Sequence, residues 1–238
     1  MSSKRKLLAV LIDADNVNPK HADAILKEVS EIGEPALRRV YGDWSSDGLN
    51  GWSKVIPELG LVARQETANT KQKNASDIGL VIDAMDILHG GRFDGFVLVS
   101  SDSDFTALAN RLREDGQEVI GIGEAKTPKS LRNVCNRFIL IENIIAVPTS
   151  DGDDQSTESK KHLPPPVKAL PLFKAAIGKI DSQDGWYPLS TVGSRINALH
   201  PDFDPRSYGH AKLSSLVKML NGIETKQVGT HLQIRLKS

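Results

Sequence analysis

Two short apolar runs in this sequence each lead into closely spaced carboxylates. Leu7-Leu-Ala-Val-Leu-Ile12 is followed by Asp13-Ala-Asp15-Asn16, and Gly95-Phe-Val-Leu-Val-Ser100 by Ser101-Asp102-Ser-Asp104. Runs of this kind are expected of strands covered on both faces in a parallel sheet. Ligands of such sheets bind in the crevice outside the carboxyl ends of the strands. A βαβ connection that makes the two strands neighbours would gather Asp13, Asp15, Asp102 and Asp104 around one cleft. Like charges a few ångströms apart cannot all stay ionised unless cations neutralise them. Oxygen donors suit Mg²⁺ or Mn²⁺ rather than zinc, because no Cys or His falls in ligand spacing. Asp77, in Asn74-Ala-Ser-Asp77-Ile-Gly-Leu-Val81, is the third candidate. At about 100° per residue it shares a helix stripe with Val81, Ala84, Met85 and Leu88, whereas Asp83 and Asp86 fall outside. A carboxylate there needs the helix N-terminal dipole or a metal as its partner. Singly, Asp15 or Asp104 has capping of the following helix as its lesser reading, and Asp77 is more often a dipole complement than a ligand. Jointly they suit metal-assisted displacement at phosphorus.

The positioning elements follow from the pattern. Helices are expected over 21–32, 76–89 and 105–115, strands over 37–41, 61–65, 118–122 and 138–141, and a helix or irregular segment over 51–59. Strands alternating with helices over about 140 residues imply a three-layer α/β fold with a mostly parallel sheet. The polar, then triple-proline stretch 149–166 reads as a flexible linker between a domain at 1–148 and a smaller one at 167–238. The latter shows three helical stretches (167–180, 188–199, 212–220) and then a hairpin around Gly229-Thr230, which is a winged helix-turn-helix architecture. Gly121-Ile-Gly123 follows a strand like a phosphate loop but lacks the third glycine.

The chain has 238 residues, with 30 basic and 30 acidic side chains and 39% hydrophobic content. That composition excludes collagen-like and wholly disordered classes. The balance hides an asymmetry, since residues 167–238 hold 10 basic and 5 acidic side chains. A single Cys, Cys135, excludes a disulfide framework and reads as buried filler. No apolar run reaches the roughly 18 residues a membrane helix needs, and the one after Lys6 is too short for a signal peptide. A cytoplasmic protein without membrane contact is expected.

Asp13-Ala-Asp-Asn16-Val, the Lys71-Gln-Lys-Asn-Ala-Ser-Asp77 segment and Ser100-Ser-Asp102-Ser-Asp104-Phe together resemble the NYN domain, a member of the PIN-like metal-dependent ribonuclease superfamily. The resemblance implies that Asp13, Asp77, Asp102 and Asp104 bind the metal, with Asn16 and Ser101 beside it or the substrate. The implied reaction is hydrolysis of an RNA phosphodiester by metal-activated water, leaving 5′-phosphate and 3′-hydroxyl ends. Arg64, Lys71 and Lys73 are candidate contacts to backbone phosphates. Trp44 and Trp52 read as core or loop anchors in preference to base-stacking residues.

Gly185-Trp-Tyr-Pro-Leu-Ser190, His200-Pro-Asp-Phe-Asp-Pro-Arg-Ser-Tyr-Gly209 and Lys212-Leu-Ser-Ser-Leu216 resemble the LOTUS (OST-HTH) domain. This implies binding of RNA, single-stranded or structured, or of a protein partner in some members. Arg206, Tyr208, His210 and Lys212 are the candidate contacts near the recognition helix, with Arg235 and Lys237 on the wing. The expected function is a ribonuclease with a tethered RNA-binding module. The alternatives are an RNA-binding regulator that does not cut, and a haloacid-dehalogenase-type phosphotransferase using Asp13 and Asp15 with Lys126.

Overall fold

The computed structural model describes residues 5–45, 47–65, 75–145, 163–182 and 184–237. The chain divides into two units, Met1–Ala146 and Val147–Ser238.

In the first unit the strands are β1 (Leu7–Asp13), β2 (Glu34–Gly42), β3 (Val62–Gln65), β4 (Gly95–Val99), β5 (Glu118–Gly123) and β6 (Arg137–Leu140). They form one parallel sheet in the order β3-β2-β1-β4-β5-β6. β1 and β4 are therefore adjacent, paired from Leu8↔Gly95 to Ile12↔Val99. The strand order reverses between them, which is where a doubly wound sheet opens a crevice.

Alternation along β1 feeds two cores. Leu8, Val10 and Ile12 pack with α1 (Ala22–Ile32), α2 (Trp52–Glu58) and α6 (Ile141–Ile145). Ala9 and Leu11 pack with α3 (Ala75–His89), α4 (Thr106–Glu114) and α5 (Lys129–Val134). α1 follows its sequence pattern: Ile25, Leu26 and Val29 are buried, and Gly33 closes the helix by donating to the Val29 carbonyl. Trp52 lies in the core, as its anchoring role requires. A Cβ at Gly121 would sit 2.4 Å from the Phe138 ring and 2.8 Å from Cys135 Sγ. This glycine thus admits a neighbouring aromatic ring, and no phosphate loop is needed to explain it. Cys135 is buried, and burial pushes its thiol up to about 12.

In the second unit a 3-10 turn (Pro166–Ala169) leads into α7 (Leu170–Ile177), followed by α8 (Leu189–Leu199) and α9 (Leu213–Lys218). Strands β7 (Tyr187–Pro188), β8 (Ile223–Val228) and β9 (His231–Leu236) form an antiparallel sheet in the order β7-β9-β8. Phe173, Val192, Ile196, Leu216, Val217 and Ile234 form the core. Two differences from the sequence reading are informative. Pro188, the expected start of the second helical stretch, instead pairs with Gln233, and Tyr187 with Ile234, as a third strand. The proline whose triplet was read as spacer, Pro166, already begins the turn into α7. No helix among the described residues is long and apolar enough to cross a membrane.

Candidate metal centre

The site forms where β1 and β4 end. Asp13, the last residue of β1, is only 2% exposed. Its Oδ2 accepts from Ser100 Oγ at 2.8 Å and from Asn16 Nδ2 at 2.7 Å, and its Oδ1 accepts from the Asp15 amide at 3.1 Å. Burial pushes the Asp13 carboxyl above its ordinary range, and the Ser100 and Asn16 hydrogen bonds oppose that push. Asn16 therefore holds Asp13 in place.

Ser100 also ties the two strand ends together, because its Oγ accepts from the Asp102 amide at 3.0 Å. Asp102 in turn accepts from the Asp104 amide at 2.9 Å through Oδ1, capping the 3-10 turn Ser103–Phe105. The capping carboxylate of this loop is thus Asp102, not Asp104. Asp104 is exposed, Asp102 half-buried, and Asp77 reaches them from the first turn of α3. Carboxylate oxygens of Asp77, Asp102 and Asp104 all lie within 4.8 Å of one another. Burial, and then the negative charges of Asp13, Asp102, Asp104 and Asp15, push Asp77 up to about 6. Two strand ends and one helix start, far apart in sequence, are brought to one place.

The donor set consists of hard oxygens at mutually repulsive distances, which fits a divalent cation of the Mg²⁺ or Mn²⁺ type. A stability consequence follows directly. Without a cation the folded protein prefers protonated Asp77, whose ordinary value is 3.8. The group's contribution is complete below that value and is lost as pH rises through about 6. Asp77→Asn removes the loss, so thermal unfolding in chelator near pH 7.5 is expected to show the variant more stable. The gain should be about 1 kcal/mol, allowing for solvent screening of a half-buried group.

The remaining expected residues are distributed as follows. Asp15 is exposed and lies outside the three-carboxylate group. Ser101 is buried, and its Oγ accepts from the Glu124 amide at 2.9 Å, fastening this loop to the end of β5. Arg64 is exposed on the edge strand β3. Lys71 and Lys73 lie outside the described residues. Trp44 anchors the β2–β3 edge by donating Nε1–H to the Arg64 carbonyl at 2.8 Å. Lys126 is exposed and paired with Glu124 at 2.9 Å.

Sequence reasoning missed Asp83. The fully buried positions of α3 are Leu80 and Ala84, with Ile87 nearly so, and Val81, Met85 and Leu88 are only half-buried. The inward stripe is thus rotated from the expected one and carries Asp83 on its flank. Asp83 accepts from Arg39 Nη1 at 2.5 Å and from the Tyr41 hydroxyl, both on β2. Burial and Asp83 push the Tyr41 hydroxyl far above its ordinary range. The available signal was the period-two spacing of Leu37, Arg39 and Tyr41, which puts all three on one strand face.

In the second unit Asp204 caps the turn Pro205–Tyr208 and holds the Arg206 side chain, its Oδ2 accepting from Nη2 at 2.7 Å and Nε at 3.0 Å and its Oδ1 from Nε at 3.1 Å. Tyr208 is half-buried with its ring 6.0 Å from that of Phe203. Lys212 is exposed at the start of α9, and His210 is half-buried.

Residues 7–142 match the NYN domain model, and residues 167–234 match the OST-HTH/LOTUS domain model. Among solved structures, a Vibrio parahaemolyticus protein of unknown function is 18% identical over 60% of this chain and 98% of its own, with a TM-score of 0.50, a likeness of fold. An uncharacterized Nitrosomonas europaea protein is 33% identical over 37% of this chain and 93% of its own, at a TM-score of 0.27. Acinetobacter baumannii MurG is 12% identical over 90% of this chain and 70% of its own, at 0.38, and neither of these two scores supports an argument. No protein with a curated description matches. The domain pairing supports, in general terms, a ribonuclease equipped with an RNA-binding module. The chain belongs to the NYN domain family, of PIN-like fold, and carries an OST-HTH/LOTUS domain behind it.

Proposed function

We propose that this protein is a metal-dependent ribonuclease that hydrolyses RNA phosphodiester bonds. The observation that carries the reading is the convergence of Asp77, Asp102 and Asp104, with Asp13 buried beside them. These four carboxylates would hold Mg²⁺ or Mn²⁺. When bound, the cation supplies positive charge to the phosphate oxygens as negative charge builds there. Ser100 and Asn16 keep Asp13 aimed, and α3 delivers Asp77. Asp104, the exposed member, would accept a proton from the attacking water. Water oxygen bonds to phosphorus and the P–O3′ bond breaks. The 3′ oxygen then takes up, by way of solvent, the proton that Asp104 received, leaving 3′-hydroxyl and 5′-phosphate ends.

A pocket of about 410 Å³ beside Asp15 and Asn16 offers room for a nucleotide flanking the cut. Arg64 on β3 supplies a phosphate contact, Lys71 and Lys73, between β3 and α3 in the sequence, supply others, and Ser101 shapes the loop against which the strand lies. The second unit captures RNA, with Lys212 and Tyr208 as contacts and Arg206 shaping the turn that presents them. Residues 149–166 act as the tether, which raises the local concentration of captured strand. A buried, unpaired thiol suits the reducing cytoplasm.

The test is incubation of single-stranded RNA with Mn²⁺ or Mg²⁺ and analysis of the product ends. Products with 5′-phosphate and 3′-hydroxyl ends that vanish in chelator are expected. Cutting that persists in chelator, or 2′,3′-cyclic phosphate ends, would overturn the proposal.

A further inference from the structure

The Arg206 charge is answered by Asp204 inside the second unit, so other cations carry the basic excess of this unit to its surface. Alternation in β9 sorts its side chains: Leu232, Ile234 and Leu236 join the core, and Ile234 is fully buried. His231, Gln233 and Arg235 face away, and Lys237 extends the row past the strand, its amide donating to the Gly222 carbonyl. The register sets Glu224 opposite Arg235, Lys226 opposite Gln233 and Val228 opposite His231, on the same outward face. Trp186, next to β7, lies against it. The Arg235 guanidinium is 4.6 Å and the Lys226 ammonium 5.6 Å from the Trp186 ring centroid. Two carboxylates partly offset these cations: Glu224 pairs with Arg235, and Asp184, whose Oδ1 accepts from the Trp186 amide at 3.1 Å, lies within electrostatic reach of Lys226.

We infer that this outward face of the β7-β9-β8 sheet binds single-stranded RNA, deepening the RNA-binding part of the proposed function. Lys226, Arg235 and Lys237 contact phosphates, which provide most of the sequence-independent affinity. The stacked Trp186–Arg235 pair offers a flat surface to an unstacked base, and aromatic and guanidinium planes are the usual platforms for such bases. Cations interleaved with an aromatic ring suit single strands better than a duplex, whose bases hide their faces. An acidic polypeptide would use the charges but not the platform.

The test is fluorescence anisotropy of a labelled oligouridylate with the full chain in chelator, so that cleavage plays no part. In about 0.1 M salt, combined Lys226→Ala and Arg235→Ala is expected to weaken binding about tenfold. It should also flatten the log–log salt dependence by about 0.7 for each lost cation. Lys226→Ala, whose ammonium makes no close ion pair among the described residues, gives a smaller change in the same direction, and Lys174→Ala on α7 gives none. RNA also quenches a tryptophan signal that Trp186→Leu removes. Wild-type affinity in the double variant, absence of RNA binding by the wild type, or displacement of RNA by poly-glutamate at equal charge would overturn the inference. Loss of cleavage with binding intact would bear on the catalytic proposal alone.

Discussion

Asp102→Asn and Asp77→Asn are each expected to lower the rate of RNA cleavage by about 10³-fold or more, roughly 4 kcal/mol of barrier. Asparagine keeps the shape of each side chain and can still accept the backbone hydrogen bond that Asp102 Oδ1 takes from the Asp104 amide. What it removes is charge. Asp77, Asp102 and Asp104 hold their oxygens within 4.8 Å of one another, and that repulsion is the property a cation answers. RNA affinity in chelator should be unchanged, because the second unit carries the capture surface. Asp77→Asn combines this loss with the greater stability without metal described above. A substitution that stabilises the fold and abolishes turnover is the signature of charges assembled for function against the preference of the fold. The check is a pair of measurements on each variant: initial cleavage rate at saturating RNA, and unfolding in chelator.

The largest stability effect is expected at Asp83. Asp83→Ala leaves the Arg39 guanidinium and the Tyr41 hydroxyl facing α3 without their shared acceptor. The Arg39 and Asp83 side chains are about one-fifth exposed, and Tyr41 is buried. Breaking such a pair by removing one partner costs more than the pair contributes, because the remaining group stays desolvated. A loss of about 3 kcal/mol is expected, lowering the melting temperature of the first unit by roughly 6–12 °C. Tyr41→Phe, which removes one donor, should cost about 1 kcal/mol. Because α3 also carries Asp77, cleavage by Asp83→Ala should fall at temperatures where the protein is still folded. Circular dichroism melts of the three proteins check the order.

The sheet and its acid-tipped strands were legible because β1 and β4 are unbroken apolar runs, buried on both faces, that end in charge. Side-chain period and the position of the crevice follow from that alone. Asp77 was legible through helix periodicity, although the stripe proved to be centred on Leu80, Ala84 and Ile87. That rotation concealed Asp83, whose partners lie on β2, where the period-two spacing of Arg39 and Tyr41 was the available signal. α5 and α6 are six and five residues long, too short for a period to show. β7 is a strand only because β9 pairs with it, a contact nearly fifty residues away in sequence. Arg206 reads in the sequence as a candidate contact near the recognition helix, and its partner Asp204 stands two residues earlier. The Asp-Pro-Arg spacing of a capped turn was the sign that its charge is answered locally.

Direct titration of Mn²⁺ into the full chain, followed by the electron paramagnetic resonance of the free ion, tests the central claim most directly. The account expects saturable binding that Mg²⁺ displaces and that Asp77→Asn and Asp102→Asn each weaken by about tenfold or more. Binding of equal strength in the wild type and both variants would contradict it.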